Sequence, residues 1–165
     1  MPLFNIMPAP WLLESGESGQ SSAGALVANT TYLVAVIVPA AITIVSMRYR
    51  CTTASGNCDL GIYDPVTTNL LGHTGAVAVA SGVQNVNLTA NLVIGPGRYY
   101  LAFWIDNATA TIFRVASTNE NLTNALNSTS TNATSLAANI AGMGGVTSPS
   151  GTKVVMSAVI SGGMA

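Results

Sequence analysis

The feature that most constrains the fold is a rhythm of short β-branched and aromatic runs broken by Gly, Pro, Asn and Asp. Residues 42–50 alternate toward their end, with Val45, Met47 and Tyr49 on one face and Ser46, Arg48 and Arg50 on the other. Residues 83–89 place Gln84, Val86 and Leu88 opposite Asn85, Asn87 and Thr89. Gly95-Pro96-Gly97 launches residues 98–105, where Tyr99, Leu101, Phe103 and Ile105 alternate with Tyr100, Ala102 and Trp104. Further strands are predicted at 31–38, 59–63, 77–80, 110–116 and 153–160. No stretch of the body before residue 117 holds a helical period. The pattern predicts an all-β fold, an antiparallel jelly-roll-like β-sandwich of about eight strands with an extended N-terminal arm.

The most apolar segment, Tyr32 to Met47, is uncharged and is followed by Arg48 and Arg50, which resembles a membrane span with a positive flank. Pro39 interrupts it, however, and its residues are β-branched, as strands prefer. Two buried strands broken at Pro39-Ala40-Ala41 account for it, and no membrane partner is expected.

Only 7% of the residues are charged and the formal net charge is −1. A nucleic-acid partner is not expected, because such proteins cluster Lys and Arg. So little charge gives little colloidal protection and suits a protein held in an assembly.

Two segments stand outside the strand rhythm. Residues 1–24 form an extended docking arm and linker. The first fourteen residues carry the apolar anchors Phe4, Ile6, Trp11, Leu12 and Leu13, and residues 15–24 read as a flexible linker. The β-sandwich domain spans 25–165. Within it, 117–151 is a long low-complexity loop rich in Asn, Ser and Thr, with room for a short helix near Leu136–Ala141. It reads either as an excursion onto a neighbouring subunit or as a surface loop.

Candidates for chemistry are few. Cys51 and Cys58 flank what reads as a hairpin tip, either bridged or as two partly buried thiols. His73 sits in a turn with no Ser or Cys placed as a catalytic partner. Asp59, Asp64 and Asp106 lie at turn positions, where acids do ordinary turn work. Glu14, Glu17 and Glu120 form no rigid pair of the kind that hydrolyses glycosides. No enzyme activity, metal or cofactor is expected. Of the adjacent aromatics Tyr99, Tyr100, Phe103 and Trp104, one face belongs to the core. The other, with Tyr100 and Trp104, is a candidate interface patch.

The succession Gly56-Asn57-Cys58-Asp59-Leu60-Gly61-Ile62-Tyr63-Asp64, then Val83-Gln84-Asn85-Val86-Asn87-Leu88, then Gly95-Pro96-Gly97-Arg98-Tyr99-Tyr100-Leu101-Ala102-Phe103, runs through Ile42–Val115. It resembles the β-sandwich modules of tailed-bacteriophage virion proteins, of the capsid decoration (cement) and tail accessory type. The resemblance implies a virion setting on the capsid surface, the major capsid protein as partner, and a homo-oligomer, a trimer in many such proteins. It implies no catalytic residues. The alternative it leaves open is a tail-fibre or receptor-binding sandwich that recognises a host-surface glycan.

Overall fold

The computed structural model describes residues 12–14, 22–116, 125–129, 134–140, 146–147 and 152–161. These fold into two antiparallel sheets packed face to face, a β-sandwich. The first sheet holds β1 (Leu12–Glu14), β2 (Ser22–Ala25), β4 (Ile42–Thr53), β8 (Gly82–Ile94), β10 (Thr111–Ala116), β13 (Thr152–Val154) and β14 (Met156–Ile160). The second holds β3 (Thr30–Val38), β5 (Asn57–Tyr63), β6 (Leu70–His73), β7 (Val77–Ala78), β9 (Gly97–Ile105), β11 (Ala125–Thr129) and β12 (Val146–Thr147).

Each predicted strand region holds a strand, but 153–160 is divided into β13 on β10 and β14 on β4, 77–80 shortens to β7, and the described residues form fourteen strands where about eight were expected, the additional ones being short. Leu12–Glu14 pairs with β14, and Ser22–Ala25 pairs with β10. Parts of the segment read as arm and linker therefore belong to the sheet. Ala125–Thr129 pairs with β3, so the long loop also contains a strand. No helix among the described residues is long and apolar enough to cross a membrane. The apolar run Tyr32–Met47 is instead β3 and the start of β4, broken at Pro39.

The chain crosses between the sheets at its corners. β3 leads to β4 in the opposite sheet, β4 to β5, and β8 to β9. The Cys51–Cys58 segment is thus a corner joining the sheets and not the hairpin tip the spacing implied. Gly56 takes φ +68° there, and an added Cβ would collide with Asp106 and Asn107, so glycine is required on both counts.

Inward-facing residues of both sheets form the main core. Ile44, Met47, Tyr49 and Cys51 from one sheet meet Cys58, Leu60, Ile62, Leu101, Phe103 and Ile105 from the other. Tyr49 and Phe103 pack edge to face with ring centroids 5.6 Å apart. Val45 departs from the predicted alternation. Its neighbours Ile44 and Ser46 oppose consecutive residues of β14, Ile160 and Val159, so Val45 is an inserted bulge residue. The bulge resets the inward face, and Ile44 is buried with Met47 and Tyr49 while Val45 is half-buried.

The second sheet is covered on its outer face too. Leu33, Tyr63, Ala102 and Trp104 point away from the main core and pack beneath Leu136, Ala137 and Ile140. β5 is therefore buried on both faces from Cys58 to Tyr63. The 134–139 stretch runs as bends and an isolated bridge from Asn139 to Asn69, not as the short helix the sequence allowed.

Candidate functional site

The most elaborate polar arrangement is built around Asp59. Alternation along β5 sends Cys58 and Leu60 into the main core and Asp59 to the outer face. Residues 134–140 then cover it completely. A buried carboxylate needs donors, and Asp59 has them. Its Oδ2 accepts the Leu136 N–H at 3.0 Å and lies 2.9 Å from His73 Nδ1. Its Oδ1 accepts the Thr74 hydroxyl at 3.1 Å. Thr74 in turn accepts the Leu60 N–H at 3.0 Å, which locks the turn after β6 onto β5.

Further hydrogen bonds fix the covering segment. The Tyr63 hydroxyl donates to the Ala137 carbonyl at 2.6 Å. The Leu70 N–H donates to the Ala138 carbonyl at 2.9 Å, and the Ile140 N–H to the Thr68 carbonyl at 2.8 Å. Asn139 Nδ2 donates to Asn69 Oδ1 at 2.7 Å. Gly61 lies directly beneath, where a Cβ would come within 2.7 Å of Leu136 Cδ1 and 2.8 Å of the Gly72 carbonyl oxygen. The described part of the 117–151 loop thus packs on its own sheet.

His73 is one-third exposed and stands between this cluster and solvent. With Nδ1 on Asp59, Nε2 is the ring nitrogen left for any further contact. It borders an open groove of about 280 Å³ between β6 and β8, lined also by Leu70, Leu71, Thr89, Asn91 and Leu92. The Thr89 hydroxyl donates to the His73 carbonyl at 3.1 Å and so ties the two strands. An Asp–His pair can orient a general base, but nucleophilic chemistry also needs a hydroxyl or thiol on the other imidazole nitrogen. The described contacts of His73 provide none. What the arrangement does is hold 134–140 against β5 and β6.

The other acids have separate duties. Asp64 caps its own turn, accepting the Val66 and Thr67 N–H groups at 2.7 and 2.9 Å. Those donors, Thr67 first, hold its exposed carboxyl below the usual aspartate range. Asp106 accepts the Asn57 N–H at 2.7 Å and its side-chain amide at 2.8 Å. The three aspartates are thus committed to different places in the fold, and no group of three or more metal-ligating side chains gathers among the described residues.

The two thiols are free and buried. Burial is the largest cause of a Cys58 thiol pushed up to about 12, and it raises Cys51 as well. Both remain neutral thiols at ordinary pH, which makes them inert packing groups.

Trp104, read from the sequence as a candidate interface aromatic, is fully buried beneath the chain's own 134–140 segment. That reading is corrected: period-two alternation assigned it to the outer face properly but did not reveal that the outer face is covered. Tyr100 is half-buried against the same cluster, with the Arg98 guanidinium 5.8 Å from its ring centroid. Leu12 and Leu13 lie on β1, opposite Val159 and Ala158. Phe4, Ile6 and Trp11 lie outside the described residues. The sequence reading missed the Asp59–His73–Leu136 cluster. Its one available signal was Asp59 and Gly61 inside an otherwise apolar strand, Cys58–Tyr63.

No protein-family model matches the chain, and no curated protein matches it.

Proposed function

We propose that the chain is a non-enzymatic virion structural protein of a tailed bacteriophage, a capsid decoration protein. In this reading it binds the major capsid protein lattice on the capsid surface as a small homo-oligomer and stabilises the head. The chain passes repeatedly between the two sheets, and we take the topology to be of the jelly-roll type.

One observation carries the proposal. Register places Val38 beside Gly97, Tyr63 beside Tyr100 and Ile42 beside Ile94, so the turns at 39–41, 64–69 and 95–96 share one end of the sandwich. Three of the most exposed large apolar side chains sit at that end: Ile37 (78% exposed), Val66 (89%) and Val93 (71%). Together with a chain only 7% charged, this is a surface suited to lasting protein contact. The apolar anchors of residues 1–14 add a second contact, and burying each side chain contributes about 1.5–3 kcal/mol before ordering costs. Many such contacts over a lattice convert modest affinity into stable coating. The described lining of the groove beside His73 holds no Phe, Tyr or Trp to stack a sugar ring, so decoration is the preferred reading.

The test is mechanical. Heads prepared without the protein are heated with and without it added back, and DNA release is followed by dye fluorescence. The proposal expects release at a higher temperature in its presence. An unchanged release temperature at saturating protein argues against it.

A further inference from the structure

The sheet that contains β4 is finished differently on its two sides. β1 and β2, on β14 and β10, line one margin. β8 forms the other, and among the described residues it is hydrogen-bonded as a strand to β4 alone. In antiparallel pairing every second residue turns its N–H and C=O away from the partner strand. Among the described residues, no strand takes up the donors and acceptors on the far side of β8.

Natural proteins blunt such edges with Pro, charged side chains, bulges or a covering element. β8 uses two of these devices, but only in its second half. There the register shift places 88–91 opposite Val45, and Thr89 is tied to β6 through the His73 carbonyl. The first half, Val83–Asn87, has neither device. It contains no Pro and no charged residue, Val83 is 58% exposed, and Asn85 and Asn87 are exposed.

We propose that Val83–Asn87 is a self-association edge, which pairs antiparallel with the same edge of a second copy and joins the two sheets across a two-fold axis. A strand paired antiparallel with itself is self-complementary, so the surface needs no other partner to be satisfied. Val83–Asn87 itself carries no charge, so the paired backbones of identical copies bring no like-charged side chains directly opposite each other. The neighbouring cations are occupied within their own sheet. Arg48 Nε donates to Asn85 Oδ1 at 2.7 Å, and the Arg50 guanidinium lies 4.0 Å over the Phe113 ring. The association is two-fold, in place of the three-fold one that the resemblance implies. It does not rest on the decoration reading and holds or fails separately.

Sedimentation equilibrium of the full chain, over a wide concentration range, tests the proposal with three proteins: wild type, Val83→Glu/Asn87→Glu, and Val66→Glu. Val83 lies opposite Arg50, and Asn87 is diagonal to Arg48, so the new carboxylates are accommodated within the sheet. In a dimer they face their copies and repel. The expected result is a wild-type dimer, retained by Val66→Glu and weakened at least about tenfold by the double substitution. A wild-type monomer, a trimer, or a dimer indifferent to the double substitution would overturn the proposal. Should the double variant fail to fold, amide exchange on wild type decides. Protection across 83–87 must rise with protein concentration, and protection independent of concentration refutes the edge.

Discussion

The Asp59 carboxylate accepts the Leu136 N–H at 3.0 Å although 77 residues separate them in the chain. This bond joins a central strand to the low-complexity region, and it explains how so polar a stretch acquires a fixed place. Leu136, Ala137 and Ile140 supply the apolar contacts, and Asp59 supplies the anchor. Replacing Asp59 with Ala leaves the buried Leu136 N–H without its acceptor and takes the partner from His73 Nδ1, while the Thr74 hydroxyl keeps the Gly75 carbonyl at 3.0 Å. The expected loss is about 3 kcal/mol, which lowers the melting temperature by roughly 6–12 °C in a chain of this size. Amide exchange at Leu136 must accelerate as well. A variant that melts lower but keeps Leu136 protected would show that Asp59 supports the sheet and not the segment.

The thiols predict a pH profile. Cys58 is raised from 9.0 in the unfolded reference to about 12 in the fold, so the folded state favours the protonated form. Its contribution is fully present below about pH 9 and is lost as pH rises toward 12. Cys58→Ala flattens that alkaline limb, while costing stability at neutral pH through the lost packing. Native protein exposed to an aromatic disulfide reagent at pH 8 remains unlabelled, and denatured protein takes up two equivalents, one for each cysteine. Rapid labelling of the native fold would contradict the burial.

Trp104 predicts an optical signature. In a Trp11→Phe variant the remaining indole is fully buried among Leu33, Tyr63, Leu136 and Ala137. Its emission is blue-shifted and resists quenching by acrylamide. Trp104→Ala opens a large cavity and costs about 3–5 kcal/mol. Trp104→Phe is milder, because the indole N–H has no hydrogen-bond partner among the described residues. Red-shifted, readily quenched emission from Trp104 would show that the segment does not cover it.

The strand rhythm was legible because period-two alternation follows directly from the pleat. Gln84, Val86 and Leu88 do turn toward the core from β8 while Asn85, Asn87 and Thr89 are exposed. Less visible were the features that depend on what lies across space. Val45 is chemically like Ile44 before it, and only the register with β14 marks it as a bulge. The Cys51–Cys58 spacing matches a hairpin, yet β4 and β5 belong to different sheets, a choice made by pairing with β8, β10 and β9. Trp104 looked like surface because nothing local announces that Leu136–Ile140 returns to cover it. Ser22–Gly24 looked like linker because such small residues form strands only when an edge, here β10, is offered.

The proposed attachment to a phage head is tested most directly by co-sedimentation. Purified full-length protein is titrated against heads that lack it, and the amount pelleted is measured against the amount of major capsid protein. A decoration protein saturates at a fixed ratio to the capsid subunit, with occupancy reduced when residues 1–11 are removed. Protein that stays in the supernatant at every concentration would contradict the claim.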